Sequence, residues 1–180
     1  MKLKPTVALL SAIFATGSVT TAAMTLTSDD IQEGSRMSHT FSFNGFGCDG
    51  ANTSPQLSWK DAPKGTKSFA ITAYDPDAPT ESGFWHWQVI NIPANVTDIP
   101  KGHSGKFKKA KELTNDYGAT GFGGACPPKG HGMHRYQFTV WALPSETLGV
   151  PDNASKAVVG FMLNANALDK ARLTSTYVNE

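Results

Sequence analysis

Apolar and polar side chains in this chain alternate with a period of two, which directs it to β structure before any other feature is weighed. "SFAITAY" (68–74), "WHWQVINI" (85–92), "RYQFTVWAL" (135–143) and the shorter "HTFSF" (39–43) are rich in β-branched and aromatic residues. Clusters of Gly, Pro, Asn and Asp bound them, as expected of strands. One stretch differs. Residues 153–170, "NASKAVVGFMLNANALDK", place Ala157, Val158, Phe161, Met162, Ala165 and Leu168 at helical spacing. Asp152 or Asn153 is the expected N-cap. "ARLTSTYV" then returns to strand character. The pattern predicts a mostly β fold, an antiparallel two-sheet β-sandwich with one helix from the C-terminal region packed at its side. No internal repeat or low-complexity tract divides it, so residues 24–180 are expected to form a single domain.

Residues 1–23 read as a signal peptide. Lys2 and Lys4 precede the apolar run "VALLSAIFATGSV", too short to span a bilayer, and the small residues "TTAA" follow. Export to the periplasm or beyond is the expectation. The roughly 157 residues that follow can bury a self-sufficient core, and they hold no further apolar run of transmembrane length. Loss of the two leader lysines takes the formal net charge from +1 to about −1. Neither nucleic acid nor an anionic membrane is therefore an expected partner. Cys48 and Cys126 are an even pair in a chain marked for export. Both stand in glycine-rich loops, "GFGCDG" and "GGACPPKG", where backbones approach closely. A disulfide there is expected to stabilise the fold by about 4 kcal/mol in the chain-entropy account; two free buried thiols are the alternative.

Strand parity shows where polar groups meet the core. His134 and Tyr136 share a face with Phe138, Val140 and Ala142, and Asp75 is in phase with Phe69, Ile71 and Ala73 at the end of its strand. An apolar face running out at a polar end is where a pocket can open. On "WHWQVINI" the same parity sets His86 with Gln88, Ile90 and Ile92, opposite Trp85, Trp87 and Val89. Simpler roles fit the residues too. Asp75 and Asp77 are good turn formers, His86 and His134 can be core imidazoles satisfied by carbonyls, and the basic stretch Lys101–Glu112 can be a solvated loop. A "GxSxG" nucleophile elbow is absent. Three metal ligands from Asp75, His86 and His134 lack a paired-histidine spacing such as "HExxH".

"DPDAP" (75–79), "WHW" (85–87) and "PPKGHGMHRY" (127–136) resemble the two signature regions of the phosphatidylethanolamine-binding protein family, in its bacterial Raf-kinase-inhibitor-like branch. The resemblance extends to "NTSPQLSW" before the first signature and "VVGFMLNANAL" after the second. It implies a β-sandwich with a small anion pocket at one end. Asp75, Asp77 and Pro79 would supply one rim, His86 the next strand, and Pro127, Pro128, His134 and Tyr136 the opposite side. The implied ligand is a small phosphate- or carboxylate-bearing molecule such as a phospholipid headgroup, bound without cofactor or metal and without catalysis. Two imidazoles and a phenol can donate to an oxyanion. Backbone N–H groups of "GFGGACPPKG" can add an anion nest, and the aspartates can orient the histidines and favour their protonated forms. Two other readings stay open: a protein that inhibits a kinase, a protease or a host process through its surface, and a cryptic phosphoester hydrolase or metal site. Export away from cytoplasmic kinases makes kinase regulation a poor transfer.

Overall fold

The structure, a computed structural model, describes residues 22–151 and 153–180. The expected signal peptide, apart from Ala22 and Ala23, and the candidate cap Asp152 lie outside the described residues. In chain order the first strands are β1 (Thr25–Thr27), β2 (Asn44–Gly45), β3 (Cys48–Asp49), β4 (Leu57–Lys60) and β5 (Ser68–Asp75). β6 (Phe84–Pro93), β7 (Asp98–Ile99), β8 (Lys111–Glu112) and β9 (His134–Leu143) follow, then helix α1 (Lys156–Asn166) and β10 (Asp169–Tyr177). Among the described residues no helix is long and apolar enough to cross a membrane.

All strand ladders are antiparallel. β10-β9-β5-β6-β8 form a five-stranded sheet, β1-β4-β7 a three-stranded one, and β2-β3 a short ribbon. The two larger sheets share one core. Phe69, Ile71, Trp87, Val89, Phe138, Val140 and Leu173 from the large sheet meet Leu26, Leu57, Trp59 and Ile99 from the small one. Trp59 and Phe69 join the layers edge to face, 5.3 Å between ring centroids. On the outer face of the large sheet Ala70, Ile90, Trp141 and Leu143 pack against Val159 and Leu163 of α1. β5 is thus apolar on both faces, as a central covered strand must be.

Three sequence expectations change. "HTFSF" is not a strand. His39–Phe41 form a 3-10 turn, held by bonds from the Phe41 and Ser42 amides and from Ser42 Oγ to nearby carbonyls, although Phe41 does enter the core. The helix is shorter than 153–170. Its N-cap is Ser155, whose hydroxyl accepts from the Val158 amide, and it ends where Ala167 turns extended and the Leu168 amide bonds Ala142 O. Its buried stripe is Val159, Gly160 and Leu163, while Val158, Phe161 and Leu168 are exposed. Two apolar stripes run along this helix, and Gly160, which lies against the Trp85 ring, sets which of them faces the sheet.

The third change concerns β6. Ala73 pairs with Trp87 and Tyr74 with Trp85, which leaves His86 as the extra residue of a β-bulge. A second irregularity lies between Phe69 and Ile71, opposite Asn91, which takes a left-handed φ of 61°. The bulges change side-chain phase. Trp85 packs on the outer face beside Tyr74 and α1, Ile92 joins the inner core, and His86 turns inward with Trp87. Simple alternation had set His86 opposite Trp87.

Candidate functional site

Antiparallel pairing brings the end of β5, the starts of β6 and β9, and the end of β10 to one edge of the large sheet. Here the chain encloses a cavity of about 450 Å³. Asp75, Pro79, His86, Pro127, Pro128, His134 and Tyr136 all line it. Asp77 does not. Its carboxylate accepts from the Arg135 guanidinium at 2.7 and 2.9 Å and from the Arg135 amide at 2.9 Å. That guanidinium holds the Asp77 carboxyl below its ordinary range. Asp77 therefore braces the loop after β5 against β9. The Ala78–Pro79 bond is trans, as are all peptide bonds among the described residues.

Asp75 and His134 are 2% and 1% exposed and are joined by a 2.7 Å bond between Asp75 Oδ2 and His134 Nδ1. The other carboxylate oxygen accepts from the Asp77 amide at 2.8 Å. Asp75 thus has both oxygens occupied and serves to fix the His134 ring. The second ring nitrogen, Nε2, lies 2.7 Å from Nδ1 of His131.

His86 is held differently. Its Nδ1 donates to the carbonyls of Gly123 and Gly124 at 2.8 and 3.1 Å, the carbonyl bonding considered for an ordinary core imidazole. The glycines have a steric cause. A Cβ at Gly123 would strike the Tyr117 ring, and one at Gly124 the Phe41 carbonyl. Burial lowers the pKa of His86, outweighing the Gly123 carbonyl and the Asp75 charge, which act the other way. Burial therefore favours a neutral His86 with a lone pair on Nε2, whereas the aspartates had been expected to favour the protonated imidazole.

The anion nest is also revised. The amides of Gly123, Gly124 and Ala125 are spent on His86 O, Asn52 Oδ1 and Phe41 O. Side chains, not these amides, face the cavity. Tyr136 is 2% exposed, and its hydroxyl has no hydrogen-bond partner. Burial, with the Asp75 charge, raises its pKa, so it remains an O–H donor. The nearby Cys126 amide opposes that shift from outside hydrogen-bonding geometry.

The mouth is aromatic. Phe43 stacks on Tyr117 at 3.8 Å, and Tyr117 meets the edge of Phe84 at 4.7 Å. Phe46, at the tip of the β2–β3 ribbon, is 79% exposed and lines the entrance with Lys129. Cys48 and Cys126 form the expected disulfide, with sulfurs 2.03 Å apart, and Cys126 itself lines the cavity. Sequence reasoning had missed Phe46, Phe84, Asp116, Tyr117 and Lys129. Phe46 and Lys129 lay inside the quoted "GFGCDG" and "PPKGHGMHRY" and Phe84 just before "WHW", but Phe46 and Tyr117 sit in turns that carry no periodic signal. Among the described residues no group of three His, Cys, Asp or Glu is placed to hold a metal ion.

Comparison with known proteins accords with this fold. Residues 27–178 match the Phosphatidylethanolamine-binding protein family. The Escherichia coli (strain K12) protein YbcL is 52% identical over 170 residues, which cover 91% of this chain and 92% of YbcL. YbhB of the same organism is 46% identical over 158 residues, covering 86% of this chain and 99% of YbhB. The crystal structure of E. coli YbcL, described as a new member of the mammalian PEBP family, superposes with a TM-score of 0.84 at 50% identity, covering 88% of this chain and 100% of that one. On sequence, fold and coverage together, this chain belongs to the phosphatidylethanolamine-binding protein family.

Proposed function

We propose that this chain is an exported, non-catalytic binding protein whose end cavity takes a small phosphate- or carboxylate-bearing ligand, with a phospholipid headgroup as the model case. One observation carries the reading: a buried Tyr136 hydroxyl without a partner, in a cavity also lined by His86 and His134. A buried donor left unpaired costs about 1–3 kcal/mol, and an oxyanion that accepts from it recovers that cost. His86, its Nδ1 donating to carbonyls, has an Nε2 lone pair that accepts from the P–OH of a monoprotonated phosphate, and Lys129 adds a cation at the entrance. Export is supported by the disulfide and by the leader-like residues 1–23.

The test is calorimetric titration with phosphorylethanolamine and inorganic phosphate, with ethanolamine as the anion-free control. The two phosphates are expected to bind and ethanolamine alone to fail. No binding of either phosphate by folded protein between pH 5.5 and 7.5 would reject the reading. Turnover of a phosphoester, abolished by Asp75→Asn, would move the cavity to the hydrolase class. Recovery from a periplasmic fraction, with a mature N-terminus near Met24, tests export.

A further inference from the structure

We propose that His131 blocks an anion's access to His134: it holds Nε2 of His134, the ring nitrogen that Asp75 leaves free, and an anion in the cavity reaches that nitrogen only when His131 leaves. The inference rests on the anion-binding reading of the same cavity. Asp75 Oδ1 already accepts from the Asp77 amide, which marks the carboxylate as an acceptor and places a proton on His134 Nδ1. The 2.7 Å approach of His131 Nδ1 to His134 Nε2 then needs one proton between two nitrogens. With both rings neutral, His131 donates and His134 Nε2 offers only an occupied lone pair. An oxyanion has nothing to accept from there.

A first added proton leaves the bond intact, because one ring can still accept. A second puts N–H groups on both nitrogens and like charges on both rings, and the contact cannot survive. The ring that yields is His131. It is exposed, and it stands between Gly130 and Gly132, with φ of +75° and +92° and open space around both. Its own backbone is tied by a 3.1 Å bond to Pro128 O. His134 is fixed in β9, paired with Tyr177 and bonded to Asp75.

An anion acts in the same sense as the second proton. It requires an N–H on His134 Nε2 and competes with His131 for it, so binding takes up protons and the alkaline state is closed. Other ionisable groups line the cavity with His134: Asp75 from β5, His86 from β6, and Asp116 and Tyr117 from the loop after β8. Lys129 from the same loop and Tyr136 from β9 line it too, Tyr177 of β10 is the strand partner of His134, and the Asp77–Arg135 pair adjoins it. Histidine titrates ordinarily between pH 5 and 8, so His86→Gln is the control that separates that imidazole from the pair.

Sulfate is the probe, because its charge is constant between pH 5.5 and 8. Calorimetry on wild type, His131→Ala and His86→Gln should give a His131→Ala protein that binds sulfate at least about ten-fold tighter than wild type at pH 8. That gain should shrink toward pH 5.5. A His131→Ala protein that binds sulfate more weakly at every pH would make His131 a ligand donor and overturn the proposal. Equal affinity at pH 8 would overturn it as well. Absence of sulfate binding in every variant at every pH would overturn the anion reading and this inference with it, whereas binding indifferent to His131 overturns the inference alone.

Discussion

Tyr136 separates a ligand site from a merely polar core, because stability and binding pull its hydroxyl in opposite directions. The group is an unpaired buried donor. Tyr136→Phe should therefore leave the fold unchanged or stabilise it by about 1 kcal/mol in denaturant titrations, while weakening phosphorylethanolamine by about ten-fold or more. A hydroxyl with only a packing role would show no loss of affinity. His86 adds a pH signature. Its pKa is lowered by burial, so the unfolded chain binds the proton more readily and the folded state is favoured at higher pH. The contribution is fully present above the ordinary value of about 6.5 and is lost as pH falls from there toward the lowered folded value. Urea unfolding at pH 8 and pH 5.5 should show a smaller acid loss in His86→Gln than in wild type, and added phosphate should offset part of the wild-type loss.

At the scale of elements, the helix makes the sharpest prediction. Leu163 is fully buried between α1 and the large sheet, whereas Phe161 is 70% exposed. Leu163→Ala should cost about 2–4 kcal/mol, and Phe161→Ser should stay within about 0.5 kcal/mol of wild type, both read by urea denaturation. Periodicity showed that a helix lies here, but of the apolar positions it picked out, Ala157, Val158, Phe161, Met162, Ala165 and Leu168, the large side chains Val158, Phe161 and Leu168 are exposed. The segment "AVVGFMLNANAL" is apolar on more than one stripe, and the choice was made by a tertiary contact, Gly160 against the Trp85 ring. β6 has a similar history. Its ends were readable from the sequence, but the bulge that turns His86 inward exists only in the pairing with β5. Parity along an isolated strand contains no information about an extra residue. His134 and Tyr136, on the unbroken β9, fell where alternation set them. Strands of two to four residues, such as β1, β4 and β7, are too short to show a period at all. Asn91, at the second irregularity, donates no side-chain bond to the ladder but accepts from the Leu148 amide at 2.9 Å. Asn91→Ala should lose that bond and strain the left-handed backbone, for a cost of about 2 kcal/mol.

Over the whole molecule, the cavity is closed by segments far apart in the chain, and the disulfide is the covalent link between two of them. Cys48 follows the Phe46–Gly47 tip of the β2–β3 ribbon, and Cys126 precedes the Pro127–Pro128 rim, 78 residues later. Both flanking segments line the entrance, and the bond holds Phe46 near Tyr117, 5.5 Å between ring centroids. Removing it has two separable effects. The unfolded chain gains the freedom of a long loop, a stability loss of about 4 kcal/mol in the chain-entropy account. The entrance loses its tie, while Asp75, His86, His134 and Tyr136 remain fixed by strand pairing and by bonds that do not involve either cysteine. Cys48→Ser/Cys126→Ser should therefore unfold at lower denaturant, yet keep a measurable phosphate site when assayed well below its midpoint. Small anions that engage only the floor should lose little affinity. Ligands that carry an apolar tail past Phe46 and Tyr117 should lose several-fold, through the entropy of ordering a freed rim. Equal losses for inorganic phosphate and for a short-chain phosphatidylethanolamine would show that the disulfide shapes the floor itself, and would assign it a role beyond the entrance.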